Sequence, residues 1–143
     1  MIGGYKMTSQ PVMNDCGGYF VEFFVPSVPP SSQGAIRSKE PAAVLWKASI
    51  AKAMNNSRLW WPANRGEGVI ITITFFHPSI FDELGNYNRH WGDVDNRMVK
   101  KTVDWVFQWF NRDDVVMVGC CMFKRHGPEP KTHIRIEKYI GPA

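Results

Sequence analysis

The chain is poor in the features that mark secreted, disulfide-built or membrane proteins. It has three cysteines in 143 residues, and two of them, Cys120 and Cys121, are adjacent. An odd count without a C-x-x-C spacing gives no sign of a disulfide framework, a zinc site or a redox pair, and predicts reduced, mostly buried thiols. No apolar run reaches the roughly 18 residues of a membrane span. The opening MIGGYKMTSQPVMNDCGG has neither the basic start nor the apolar stretch of a signal peptide. A cytoplasmic protein without a membrane partner is expected. Acids are scarce too: 13 Asp and Glu stand against 17 Lys and Arg, for a formal net charge of +4. A pI near 9.1 permits a polyanionic partner without demanding one.

What is present suffices for one core. Hydrophobic residues make up 44% of the chain and include nine Phe and six Trp, enough for a single domain of this length. Residues 1–17 mix Gly, Ser, Asn and Pro without an apolar period, so a flexible N-terminal arm is expected, with Met7 and Met13 as alternative starts. The domain proper should then span 18–143. GYFVEFFVPSVPP alternates Tyr19, Val21, Phe23 and Val25 and ends in prolines, as a strand does. PAAVLWKASIAKAMNNS predicts a helix whose apolar stripe is Ala43, Trp46, Ile50, Ala53 and Met54. EGVIITITFFHPS is a strand by its β-branched and aromatic content, and an irregular loop, PSIFDELGNYNRHWG, follows it. A second helix is expected from Asp95 to Phe110, with Val99, Val103, Val106 and Phe110 on one face and Arg97, Lys101, Asp104 and Gln108 opposite. Lys100 falls on the flank, about 40° from Asn96. VVMVGCCMF and THIRIEKY complete the order β-α-β-α-β-β, joined by KRHGPEPK as a loose hairpin. The expected fold is therefore a small α/β domain of the α+β type, a mixed four-stranded sheet with two helices.

Five of the thirteen acids fall between residues 93 and 114, in DVDNRMVKKTVDWVFQWFNRDD. Asp93 and Asp95 suit a helix start, where backbone N–H groups and the dipole favour a carboxylate. Asp113 and Asp114 follow a helix end, where cations would be preferred. The second helix is about 24 Å long at 1.5 Å per residue, so its ends cannot meet directly. A strand beginning at Asp114 and returning past the helix start could still bring three carboxylates together, and a hard divalent cation such as Mg²⁺ would relieve their repulsion. Each feature also has a local explanation. D-x-D is commonly a cap plus a solvated acid, Asp-Asp a turn, and Lys100 with Asp104 an exposed i,i+4 ion pair. Arg37 and Lys39 sit in a polar loop able to reach a phosphate. Arg89, Trp91, Arg97, Lys101, Lys124 and Arg125 are the other candidate DNA contacts, to a backbone or an unstacked base. From the residues alone, a candidate acidic metal site in a basic domain is as far as the pattern goes.

The block DVDNRMVKKTVDWVFQWFNRDD resembles the signature of the RusA family of Holliday junction resolvases: a D-x-D-N opening a helix that carries a lysine and a later D, then a D-D pair before a strand. VPSVPPSSQ, VLWKASIAKAM, VIITITFFHPS and VVMVGCCMFKRHGPEPKTHIRIEKY are similar to the family's other segments, so the likeness covers roughly 18–140. It implies a RusA-like endonuclease domain that works as a homodimer, cuts four-way DNA junctions symmetrically with Mg²⁺ (Mn²⁺ substituting), serves recombination and repair, and is often carried by phages and prophages. It implies no small-molecule substrate. By motif position Asp93, Asp95 and Asp114 would be the metal-binding catalytic acids, with Asn96 and Asp113 supporting them. Lys100 would be the catalytic lysine, one residue later than the family pattern places it, and Lys101 its rival. A non-catalytic binder of branched DNA and a nuclease for other branched DNA are the alternatives. Trp60, Trp61 and the Phe81 loop are candidate interface residues.

Overall fold

The segments densest in β-branched and aromatic residues pair into one sheet. The computed structural model describes residues 12–13, 19–30, 41–88 and 99–140. Its strands are β1 (Val12–Met13), β2 (Tyr19–Val25), β3 (Val69–His77), β4 (Met117–His126) and β5 (Lys131–Lys138), and its helices are α1 (Pro41–Ser57) and α2 (Val99–Phe110). This is the β-α-β-α-β-β order, a mixed sheet with two helices, to which the two-residue β1 adds a short edge. β1 lies inside the segment read as a free arm, antiparallel to β2 through Val12–Phe20 and Met13–Tyr19. The start of the second helix at Asp95 lies outside the described residues.

The strand order is β1-β2-β5-β3-β4. β3 runs parallel to β4 and antiparallel to β5, and β5 is antiparallel to β2. β4 and β5 are therefore not a hairpin: β3 lies between them, and the connection 127–130 passes over the end of β3, where Gly127 N–H donates to the His77 carbonyl. Gly127 is buried, and a Cβ there would lie 3.0 Å from the Cβ of Phe76. The parallel β3-α2-β4 unit requires α2 to run back antiparallel to both strands.

Both helices cover one face of the sheet. Val21, Phe23 and Val25 of β2, Ile134 and Ile136 of β5, and Val69, Ile71, Ile73 and Phe75 of β3 form a single core with Trp46, Ile50 and Met54 of α1 and Val103, Val106 and Phe107 of α2. The alternation required of half-buried strands is thus met in β2 and β5. In α1 the buried residues are the five of the expected stripe. In α2 Thr102 and Phe107 join the buried face, and Phe110 is only half-buried. Trp46 Nε1–H donates to Thr102 Oγ1 at 2.9 Å in the buried seam between the helices.

Candidate functional site

The end of α2 is what separates the two neighbouring aspartates. Asn111 takes the left-handed conformation (φ 55°), and the N–H groups of Asn111 and Arg112 donate back to the carbonyls of Gln108 and Phe107, a closure that asparagine tolerates better than other non-glycine residues. The chain then extends at Asp113 (φ −84°, ψ 136°), whose Oδ1 accepts from Val115 N–H at 3.0 Å and caps a short 3₁₀ turn, Asp114–Val116. The misplaced charge of Asp113 thus has a local use at the start of the next turn. It lines a cavity of about 450 Å³ with Trp61, Arg65, Asn111 and Arg112.

Asp114 lines a different space. Together with Lys100 and Asp104 it borders a groove of about 390 Å³ between α2 and β4, walled by Val99 and Val103 on the helix and by Met117, Cys120 and Met122 on the strand. A bulge aligns that strand wall. Val69 pairs with Met117 and Ile70 with Gly119, leaving Val118 without a partner, so Met117 and Cys120 share a face although three residues apart. The wall from Met117 to Met122 is about 16 Å long at about 3.3 Å per residue. Because α2 runs antiparallel to β4, Lys100 belongs to the Met122 end and Asp114 to the Met117 end.

The placement departs from the sequence reading at three points: Asp104, the pair Lys124 and Arg125, and the cysteines. Asp104, assigned to the outer side of the helix, is half-buried and shares the groove with Lys100. Its i,i+4 spacing from Lys100 was the available signal, since residues so spaced stand on one flank. Among the described residues no ion pair joins the two. Lys124 and Arg125, assigned to a loop, are in β4 and on opposite faces: Lys124 Nζ lies 5.4 Å from the Tyr87 ring and Arg125 Cζ 5.3 Å from the Phe123 ring. The cysteines are less buried than expected, Cys120 half-buried and Cys121 exposed. Lys101 is exposed and does not border the groove. Trp60 and Phe81 are exposed, while Trp61 packs against Phe107 and Phe110. Arg37, Lys39, Arg89, Trp91, Asp93, Asp95, Asn96 and Arg97 lie outside the described residues.

Among the described residues no three His, Cys, Asp or Glu side chains come together as a metal centre. A centre at this groove would need a donor from outside the described residues. The donors that border the groove suit a hard cation. Asp104 and Asp114 offer carboxylate oxygens, whereas burial, followed by the neighbouring Cys121, pushes the Cys120 thiol up and keeps it protonated and a poor ligand. No helix among the described residues is long and apolar enough to cross a membrane. No protein-family model matches the chain, and no curated protein matches it.

Proposed function

We propose that this chain is a divalent-metal-dependent endonuclease of branched DNA, resolving four-way junctions in the cytoplasm by phosphodiester hydrolysis. The observation that carries this is the sorting of neighbours: Asp114 and Lys100 border one groove, while Asp113 is spent on a cap and Lys101 points elsewhere. The RusA-like pattern implies the same division of roles. Asp114, with Asp93 and Asp95, would hold the ion. Bound there, Mg²⁺ or Mn²⁺ would supply an activated water and polarise the scissile phosphate.

The chain's own contribution follows from the groove. The Lys100 ammonium, a compact charge with three donors, stands at the Met122 end of the groove and would meet phosphoryl oxygens or the leaving group there, with Asp114 towards the other end. Val99, Val103, Met117, Cys120 and Met122 give the groove beside it an apolar wall. Asp104, one turn along from Lys100, borders the same groove. Symmetric cutting of a junction needs two equivalent sites, which a two-fold homodimer supplies.

The test is cleavage of a synthetic four-way junction at stated salt, with Mg²⁺, with Mn²⁺ and with EDTA. Metal-dependent cutting is expected, abolished in Asp114→Asn and reduced about 10²–10³-fold in Lys100→Ala, as for loss of other transition-state donors. Lys101→Ala should lose affinity rather than turnover. Junction binding by a folded dimer without cutting in either metal would assign the non-catalytic alternative. Preferential cutting of flaps in competition would assign the other nuclease.

A further inference from the structure

The face of the sheet turned away from the helices has a pattern that the groove does not use. Reading across the strands by register, Phe24 of β2 pairs with His133 of β5, His133 with Thr74 of β3, and Thr74 with Phe123 of β4. One row below the strand ends, two phenyl rings thus flank a histidine and a threonine, about 14 Å apart at about 4.8 Å per strand. Both rings are open to solvent, Phe24 at 51% and Phe123 at 43%. The next row is Lys131, Phe76 and Arg125. Lys131 Nζ lies 5.0 Å from the Phe24 ring and 5.2 Å from that of Phe76, and Arg125 Cζ 5.3 Å from that of Phe123. Each exposed ring therefore has a cation at its side. Further along, Arg135 lies over Phe20 at 3.8 Å.

We infer that this open face is a platform for single-stranded nucleic acid, with Phe24 and Phe123 stacking on bases and Lys131 and Arg125 meeting the phosphates. Aromatic faces accept any base, and adjacent cations neutralise the backbone, the combination that sequence-tolerant strand binding requires. The charge fits. Among the described strand residues of this face, Arg125, Lys131 and Arg135 stand with two carboxylates, and both of these are already engaged, Glu22 by His133 at 2.9 Å and Glu137 by Arg135 at 3.8 Å. A second copy stacked on this face would bring a second Lys131 and Arg125 into the contact with no unengaged carboxylate among the described strand residues of the face to receive them. A single strand brings both π-faces and phosphates. The inference is independent of the nuclease reading, because β4 separates this face from the groove.

The test is fluorescence anisotropy of labelled (dT)₂₀ and (rU)₂₀ at low salt in EDTA, which removes cleavage from the measurement. Phe24→Ala and Phe123→Ala should each weaken binding about 5- to 150-fold, the equivalent of about 1–3 kcal/mol per stacked base. Phe24→Trp should retain it, which a merely structural role of the ring would not predict. Lys131→Ala should lower the salt dependence. Thermal melts establish that the exposed substitutions leave the fold intact. Unchanged affinity in the Phe24→Ala/Phe123→Ala double variant overturns the inference. Loss of self-association in that variant, measured by sedimentation, with strand binding retained, also overturns it and gives the face to a second copy.

Discussion

Asp113 and Asp114 show how adjacent residues of one type come to differ. The left-handed Asn111 and the extended Asp113 turn the chain so that the first carboxylate caps the next turn and the second borders the groove. Asp113→Ala is therefore expected to lower stability by about 0.5–1 kcal/mol, read from urea midpoints, the usual loss for a cap. Asp114→Ala should leave the midpoint nearly unchanged. The chain's sequence already distinguishes Lys100 from Lys101, because a helical projection depends only on spacing. It cannot distinguish the two aspartates. Their fates depend on φ and ψ at Asn111 and on a 3₁₀ turn, and neither leaves a periodic signature. Asp93 and Asp95, which the RusA-like pattern implies as partners of Asp114, lie outside the described residues.

At the scale of elements, periodicity carried the helices and the strands. The stripe of α1 needed nothing but residue spacing, and the alternation of β2 and β5 marked their buried faces. The partner of β4 was not legible. A short Gly/Pro connection ordinarily makes a hairpin, yet the parallel pairing with β3, secured by α2 as the crossover, takes the position beside β4 and leaves β5 on the far side. Such pairing is a contest between distant segments, not a property of either one. The seam between the helices offers a sharper check. Thr102→Val would leave Trp46 Nε1–H buried without its acceptor, at an expected cost of about 1–3 kcal/mol. Trp46→Phe in the Thr102→Val background should cost less than Trp46→Phe alone, measured as a double-mutant cycle by denaturant titration.

The whole molecule is closed at one end by Glu67. Its carboxylate takes the Lys138 ammonium at 2.8 Å and the Asn64 N–H at 2.6 Å, while Tyr139 N–H donates to the Gly68 carbonyl, fastening the loop before β3 to the end of β5. The Lys138 hydrogen bond first, then the Asn64 backbone, hold the Glu67 carboxyl below its usual range. A carboxylate held low in the folded state stabilises above its unfolded pKa, and that contribution fades as pH falls through the folded value. Glu67→Gln should thus be less stable than the parent at neutral pH, and the difference in urea midpoints should close on acidification below the carboxylate range.

The effect of the unpaired Val118 stays local. One surplus residue is taken up where β4 begins, so that Met117 stands on the helix side with Cys120 and Met122 while Phe123 and Arg125 turn to the open side. Deleting that residue would put Met117 and Gly119 in plain alternation opposite Val69 and Ile70, and the phenyl, guanidinium, thiol and thioether groups beyond would keep their sides. The offset is absorbed at the entry of the strand, and the surfaces on its two sides keep the register that β3 imposes.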